Sequence, residues 1–264
     1  MKSNTQANPR VLLNISTRDE TIANLQLLRL PGMLAAYSRQ FGDPAVETMG
    51  FDDRLSIIVK EEVAQRTIRR RQRLLKESRI REGDPANLEE MIYSEERGLS
   101  KQTVDVLASC NWITCEKPKT LLVWGAAGTG KSWLIKALGK RACYNHLPTL
   151  YYRYVDLKEK LEEQHEKHSV AYFIDRVLCK KKLLIIDDFA MGESPSQAMS
   201  SDLLSIIDAR YQREATIVAS QRPWTYWHDW INDSATADAL MDRLTSLCIK
   251  VELKGRSLRE LNRD

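Results

Sequence analysis

A glycine-rich segment that ends in a lysine and a serine, Gly125–Ser132, has residue types and spacing suited to phosphate binding. It fits the pattern G-x-x-x-x-G-K-[ST], in which backbone N–H groups and a following helix N-terminus surround phosphate oxygens. The Lys131 ammonium would reach the β- and γ-phosphates of ATP, and the Ser132 hydroxyl would bind Mg²⁺. All positions of the segment are therefore predicted to bind the nucleotide: Gly125, Ala126, Ala127, Gly128, Thr129, Gly130, Lys131 and Ser132.

Two adjacent carboxylates, Asp187 and Asp188, follow the apolar run Leu183–Ile186. Such a run is typical of a parallel strand buried on both faces, and α/β sheets bind ligands at the carboxyl ends of their strands. We expect Asp187 to hold Mg²⁺ together with Ser132, and Asp188 to polarise the water that attacks the γ-phosphate. The pair favours an ATPase, because small-molecule kinases and GTPases rarely need two adjacent acids at this position.

An alternation of strands and helices must bring the two motifs together. The run Leu121–Trp124 predicts a strand that enters the glycine-rich loop, and a helix is predicted to leave it at Trp133. Further strands are predicted at Thr149–Tyr154, Ala215–Ser220 and Leu247–Leu253. The predicted fold class is therefore α/β, with a doubly wound parallel sheet flanked by helices and a small all-helical domain before it.

A strongly basic helix is predicted over roughly residues 51–80, where apolar residues recur at helical spacing. Between Arg66 and Arg81 the chain has eight basic residues and one acid, Glu77. A charge run is usually a solvated face, but this excess would repel itself without an anionic partner, which favours binding to a nucleic-acid backbone. The predicted DNA contacts are Arg66, Arg69, Arg70, Arg71, Arg73 and Lys76.

Length and composition limit the class of protein. The chain has 264 residues, 43% hydrophobic content and a net charge of +4. No apolar run approaches the length of a membrane span, and residues 1–10 lack the apolar core of a signal peptide, so we expect a cytoplasmic protein without a membrane partner. The expected division is a flexible tail at residues 1–17, a helical domain that binds DNA or a partner at 18–92, and the ATPase domain at 93–264.

The order of the motifs resembles the IstB family of AAA+ ATPases, the transposition helpers of bacterial insertion sequences. Besides the two motifs, the resemblance rests on Leu27–Met33, Thr216–Pro223, the aromatic segment Trp224–Trp230, Ala239–Leu244 and Lys254–Arg259. The chain is also similar to the DnaC helicase loaders and, more distantly, to the DnaA initiators. The resemblance covers nearly the whole chain after the first seventeen or so residues, and it implies an AAA+ fold.

The resemblance implies catalytic roles for residues outside the two motifs. Ser220 and Gln221 stand at the end of the strand that carries sensor 1, where a polar side chain contacts the γ-phosphate and the attacking water. Arg243 stands where this clade carries its arginine finger, which stabilises the transferred phosphoryl group in a neighbouring subunit's site. The alternative for Arg243 is an ion pair with Asp238 or Asp242 on its own helix.

Three further features have weaker assignments by resemblance. Arg210 and Arg213 are reserve candidates for contacts across a subunit boundary. Arg259 resembles a sensor 2 arginine, an assignment weakened because the sequence continues for only five residues beyond it. The aromatic segment Trp224–Trp230 is expected to pack against the sheet edge or a neighbouring subunit, with stacking on nucleic-acid bases as the alternative.

The function that the resemblance implies is that of an ATP-dependent DNA-binding transposition helper. Such a protein would form a homo-oligomer with ATP sites at its subunit interfaces, assemble on target duplex DNA and deliver that DNA to an IstA-like transposase. A replicative helicase loader similar to DnaC is the alternative within the same fold. A cytosolic P-loop small-molecule kinase is the alternative from a different class.

Overall fold

The chain forms two compact units, divided between Arg70 and Arg71. The structure is a computed structural model that describes residues 17–258. The flexible tail expected at residues 1–17 therefore lies outside the described residues, except for Thr17, which begins the first helix. Each unit is described by itself.

The first unit contains short helices and the beginning of a long one. They are α1 (Thr17–Leu27), α2 (Pro31–Arg39), α3 (Pro44–Glu47) and α4 (Phe51–Glu77). Pro31 occupies the first turn of α2, where its missing N–H is not needed for an intrahelical hydrogen bond. The next residue is a glycine because α4 passes close to it. A Cβ at Gly32 would lie 2.6 Å from the Cα of Glu62.

The start of α2 is closed by a buried carboxylate of α4. Glu62 Oε2 accepts hydrogen bonds from the backbone N–H of Gly32 at 2.7 Å and of Met33 at 3.1 Å. Glu62 Oε1 accepts from Arg66 Nε at 2.8 Å. Burial favours the neutral acid, but these hydrogen bonds outweigh it and lower the pKa of Glu62. Pro31 and Gly32 thus have a structural reason. Helix α2 begins where it crosses α4 closely, and Glu62 of α4 accepts hydrogen bonds from the first N–H groups of α2.

The second unit is built on a parallel sheet, as predicted from the alternation of strands and helices. The strands are β1 (Thr120–Gly125), β2 (Thr149–Arg153), β3 (Leu183–Asp187), β4 (Ala215–Ser220) and β5 (Cys248–Leu253). Their order across the sheet is β2-β3-β4-β1-β5. All four strand pairs are parallel, so the carboxyl ends of β1, β3 and β4 meet at one edge. The predicted doubly wound α/β fold is confirmed.

Helices cover both faces of this sheet and bury two apolar layers against it. They are α5 (Lys101–Ala108), α6 (Asn111–Thr114), α7 (Lys131–Tyr144), α8 (Tyr154–Glu166), α9 (Val170–Tyr172), α10 (Gln197–Arg210), α11 (Trp227–Trp230) and α12 (Ser234–Ser246). A π-helical turn at Phe173–Leu178 follows α9. Within residues 17–258, no helix combines the length and apolar character needed to cross a membrane.

The segment between α4 and the sheet belongs to the second unit by its contacts. Ser78 O accepts from Tyr151 N at 2.8 Å, and Asn87 O accepts from Trp133 Nε1 at 2.9 Å. The unit therefore begins within α4, earlier than the boundary at residue 92 that the sequence indicates. Apolar periodicity does not reveal this segment, because it is irregular and is held by backbone carbonyls.

The aromatic segment packs mainly as expected. Trp227 is completely buried and Trp230 is nearly so. Both rings meet Phe189 edge-on, at centroid distances of 4.9 Å and 5.3 Å. Trp224 is half-buried beneath the ammonium of Lys250, 3.8 Å from its ring centroid. The packing interpretation is confirmed for Trp227 and Trp230, which fasten the segment to the loop after β3.

Candidate nucleotide-binding site

The glycine-rich loop runs from the end of β1 into the first turn of α7. Gly130, with φ of 95°, is the residue before the helix, and Lys131 is the first residue within it. The Lys131 side chain is buried and its Nζ donates to Gly125 O and Ala126 O, both at 2.8 Å. The loop therefore curls around the ammonium, and the α7 N-terminus directs its backbone N–H groups to the same place.

Two neighbouring segments hold the loop from outside. Leu258 N donates to Gly128 O at 2.9 Å, and Arg97 Nη2 donates to Thr129 O at 3.1 Å. A side chain at Gly128 would collide with Ser257, because a Cβ there would lie 2.1 Å from the Ser257 Oγ. Arg97 and the 254–258 segment were not predicted to contribute to the site, since neither carries a phosphate-binding pattern.

The Asp187 carboxylate lies at the end of β3, with 1% of its surface exposed. Its Oδ1 accepts from Asp188 N at 2.9 Å, and its Oδ2 accepts from Tyr151 Oη at 2.9 Å. A side-chain hydrogen bond also joins it to Ser132. Burial, followed by the nearby charge of Asp188, raises the pKa of Asp187 despite these hydrogen bonds.

These donors fit Mg²⁺ bound together with a nucleotide. The carboxylate of Asp187 and the hydroxyl of Ser132 are hard oxygen ligands, the type that Mg²⁺ prefers. A bound cation would also stabilise the charged form of the buried Asp187 carboxylate. Within residues 17–258, no group of three or more His, Cys, Asp and Glu side chains forms a metal cage. Such a cage is not needed, because Mg²⁺ in ATP sites takes one or two protein ligands plus phosphate oxygens.

Asp188 adopts a left-handed backbone conformation, with φ of 54°. A non-glycine residue is uncommon there, although Asp tolerates it better than most, and such residues concentrate at functional sites. Asp188 follows directly on β3, and its side chain lines a cavity of about 670 Å³. Ala190, with φ of 55°, continues the sharp turn.

The cavity brings together residues from both motifs and from segments that the sequence did not single out. Its polar side includes Lys131, Ser132, Asp188 and Gln221. Its apolar side comes from other parts of the second unit: Pro85, Ala86, Met91, Ile92 and Leu258. This apolar wall was missed because its residues follow no helical or strand period. Its size and mixed lining suit a nucleotide.

The two residues at the end of β4 differ in orientation. Gln221 lines the cavity, whereas Ser220 is fully buried and its Oγ donates to Phe189 O at 2.6 Å. Phe189 N in turn donates to Ala219 O at 2.8 Å. The Ser220 hydroxyl thus ties the end of β4 to the loop that carries Asp188.

Arg243 lies on α12 and forms an ion pair with Asp208 of α10. Its Nη1 also donates to Ala239 O at 3.0 Å. Its partner is therefore neither Asp238 nor Asp242, the acids that its own helix offered. The Arg243 side chain is partly exposed, at 31%.

Arg210 has a structural role, so its interpretation as a reserve contact across a subunit boundary is wrong. It is 1% exposed and donates to Leu178 O at 2.6 Å, Lys181 O at 2.9 Å and the Thr216 hydroxyl at 3.1 Å. Burial lowers the pKa of Arg210 to about 10, which still leaves it charged at neutral pH. Arg213 is exposed, and Arg259 lies outside the described residues.

The basic residues of α4 fall into two groups by their contacts. Arg66 pairs with Glu62, Arg71 Nε donates to Tyr144 O at 2.9 Å, and Arg73 lies 3.8 Å from Glu77. The other predicted DNA contacts are Arg69, Arg70 and Lys76. They are exposed and have no side-chain partner among the described residues. The second group offers unpaired positive charge on the helix surface.

Comparison with known proteins identifies the family. The family model described as "IstB-like ATP binding protein" matches residues 23–264. An insertion sequence ATP-binding protein of Sinorhizobium fredii is 32% identical over 241 residues, covering 91% of this chain and 95% of that protein. The IS1162 ATP-binding protein of Pseudomonas fluorescens is 34% identical over 203 residues, covering 77% of this chain and 86% of that one.

Solved structures share the fold at low sequence identity. AMPPCP-bound DnaA from Aquifex aeolicus superposes with a TM-score of 0.54 at 21% identity, covering 67% of this chain and 52% of that one. The DnaC helicase loader superposes with a TM-score of 0.51 at 18% identity, covering 64% of this chain and 97% of that one. With its glycine-rich loop, its paired carboxylates and this fold, the chain belongs to the family of IstB-like ATP-binding proteins.

Proposed function

We propose that the protein is an ATP-dependent DNA-binding helper that assembles on target duplex DNA and delivers it to an IstA-like transposase. The observation that carries the proposal is one cavity lined by Lys131, Ser132, Asp188 and Gln221. Family membership supports an insertion-sequence role, since the relatives are named insertion sequence ATP-binding proteins.

ATP binding follows from the donors that surround the cavity. Gly125–Ser132 and the α7 N-terminus present backbone N–H groups to the phosphates, and Lys131 exchanges its two loop carbonyls for β- and γ-phosphate oxygens. Mg²⁺, held by Ser132 and Asp187, would neutralise phosphate charge when bound. The base would rest against the apolar wall that includes Met91 and Ile92.

Hydrolysis needs a water aligned with the γ-phosphate. Asp188 would accept a hydrogen bond from that water and polarise it, and Gln221 would contact the γ-phosphate from the same cavity. Ser220 would act through the backbone, because its hydroxyl holds the loop that carries Asp188. Arg243 would supply a positive charge to the site of the next subunit.

DNA binding would use the backbone-phosphate attraction of α4. Arg69, Arg70 and Lys76 are exposed and unpaired among the described residues. Arg66, Arg71 and Arg73 would also contact phosphates, through the guanidinium N–H groups that are not used in their contacts within the protein. Such contacts read no base sequence, so they suit a protein that captures varied target DNA.

The second candidate is a replicative helicase loader, because the fold superposes on nearly the whole DnaC helicase loader structure, 97% of that chain. The two functions differ in the protein that is captured. A transposase gene next to the gene for this chain, and binding of its product in the presence of ATP and DNA, would favour the transposition helper. Binding of a replicative helicase instead would favour the loader.

The sharpest test of an ATP site shared between subunits mixes two variants that are each expected to be inactive. Lys131→Ala removes the cation for the β- and γ-phosphates, so it should not bind ATP. Arg243→Ala should bind ATP normally and hydrolyse it at least about 10³-fold more slowly if its guanidinium is the main charge stabiliser.

Mixed assemblies should regain activity, because some interfaces pair an intact loop from one chain with an intact Arg243 from the other. Mixtures that stay inactive, with mixed assembly confirmed, would contradict a site shared between subunits. Running the assay without any small-molecule acceptor also separates hydrolysis from the kinase alternative.

A further inference from the structure

Tyr151 contacts the central carboxylate of the nucleotide site from a neighbouring strand. It lies in the middle of β2, opposite Ile185 of β3. Its Oη donates to Asp187 Oδ2 at 2.9 Å. Neither sequence motif includes this residue.

The hydroxyl of Tyr151 is a lasting donor. A phenol carries its proton at neutral pH, so the O–H of Tyr151 donates to the Asp187 carboxylate. Asp187 is 1% exposed and is hydrogen-bonded to three protein groups, Tyr151 Oη, Asp188 N and the Ser132 side chain. Of these groups, Ser132 and the Asp188 backbone belong to the two motifs, whereas Tyr151 is an outside support.

Tyr151 is itself held in place through its backbone and through its ring. Its backbone N–H donates to Ser78 O at 2.8 Å, which fixes β2 to the segment that follows α4. The ammonium of Lys136 lies 5.5 Å from its ring centroid, and Lys136 forms an ion pair with Asp84 at 3.0 Å. A phenol supported in this way can hold a carboxylate in one orientation.

We propose that Tyr151 is a positioning residue that holds the Asp187 carboxylate in the orientation needed to bind Mg²⁺ together with Ser132. This inference rests on the proposed function, in which Asp187 and Ser132 hold the metal of Mg²⁺–ATP. Outer partners of metal ligands act in this way: they orient the ligand, and their loss typically weakens metal binding by about 10–100-fold.

The experiment measures Mg²⁺ rather than activity. For the full chain, ATP affinity is titrated first in EDTA and then against increasing Mg²⁺, which yields the Mg²⁺ concentration for half-maximal effect. Tyr151→Phe removes one hydroxyl and keeps the ring, so it should raise that concentration about tenfold or more. Its ATP affinity in EDTA should remain that of the wild type.

The matched control is Tyr152→Phe, the same change on the next residue of β2, which packs into the core on the opposite side of the sheet. It should change neither quantity. An unchanged Mg²⁺ requirement for Tyr151→Phe would overturn the positioning role, as would an equal loss of affinity in EDTA, which indicates general damage to the site.

Asp187→Asn distinguishes failure of the positioning role of Tyr151 from failure of the proposed Mg²⁺ site. If it raises the Mg²⁺ requirement while Tyr151→Phe does not, the positioning role is wrong and the metal site stands. If Asp187→Asn has no effect, the metal site of the proposed function is wrong, and the positioning role falls with it.

Discussion

Arg243 forms an ion pair with Asp208 of its own chain. In the proposed assembly, a guanidinium that acts on a neighbour's nucleotide would have to leave such a pair, so Asp208 would compete with the neighbouring site for Arg243. Both side chains are partly exposed, at 31% and 57%, so the pair contributes only about 0.2–1 kcal/mol.

Asp208→Asn should therefore raise ATP hydrolysis, because it removes the competing charge. We expect an increase of up to about fivefold in the rate per subunit at saturating ATP and DNA, the equivalent of about 1 kcal/mol. Asp242→Asn, which removes an acid next to Arg243 in sequence that does not pair with it, is the control and should leave the rate unchanged. A lower rate for Asp208→Asn would mean that this pair positions Arg243 rather than restraining it.

Asp188→Asn should separate ATP binding from hydrolysis. The amide keeps the shape of the side chain but removes the charge that polarises water, so hydrolysis should fall by about 10²-fold or more while ATP affinity is retained. Single-turnover hydrolysis and nucleotide titration measure the two effects. A wild-type hydrolysis rate would remove Asp188 from the catalytic role.

Replacing Arg69 and Arg70 of α4 by alanine should weaken DNA binding and leave nucleotide affinity intact. Both side chains are exposed and unpaired among the described residues, so up to two phosphate contacts are lost. The slope of log affinity against log salt should fall by as much as about 0.9 per contact. The control replaces Lys158 of α8 and Lys167, the residue that follows α8, by alanine. It removes the same two positive charges from another part of the protein. If the slope changes equally in both double variants, the α4 substitutions act through net charge alone, and the direct phosphate contacts are contradicted.

Glu62→Gln should loosen the first unit in a pH-dependent way. The charged carboxylate accepts from Gly32, Met33 and Arg66, and the neutral amide accepts less strongly, at a cost of about 1–3 kcal/mol. Because the folded-state pKa of Glu62 is lowered, its contribution is complete above the ordinary value of 4.5 and is lost as pH falls through the folded-state value.

Amide hydrogen exchange at Gly32 and Met33 measures this effect. Protection should be lower in Glu62→Gln than in the wild type at neutral pH, and the difference should shrink as the pH falls below 4.5. Glu61→Gln is the matched control, since the neighbouring acid contacts the side chains of the exposed Arg39 at 3.2 Å and of Gln65 at 3.4 Å rather than the start of α2. Equal protection in wild type and Glu62→Gln at neutral pH would contradict the capping role.

Local patterns were sufficient to predict the motifs and the strands that carry them. Leu121–Ser132 joins a buried strand to the glycine-rich loop, and Leu183–Asp188 joins a buried strand to two carboxylates, so residue types and spacing locate both motifs. The Tyr151–Asp187 hydrogen bond could not be predicted in this way, because it depends on how β2 and β3 align.

Burial also changed the interpretation of individual side chains. The sequence offers Arg210 as a reserve contact across a subunit boundary, yet backbone carbonyls and a hydroxyl surround it. Hydrogen bonds to backbone carbonyls cannot be predicted from residue types. The apolar wall with Met91 and Ile92 could not be predicted either, since its members follow no helical or strand period.

The most direct test of ATP-dependent assembly on DNA is the mass of the protein in solution with ATP, ADP or no nucleotide, each with and without duplex DNA. Light scattering after size separation gives this mass, and Lys131→Ala serves as the variant that cannot bind ATP. We expect the wild type to form a larger assembly only when ATP and duplex DNA are both present, and Lys131→Ala to form none. A wild-type mass that is the same with ATP, with ADP and without nucleotide, in the presence of DNA, would contradict ATP-dependent assembly.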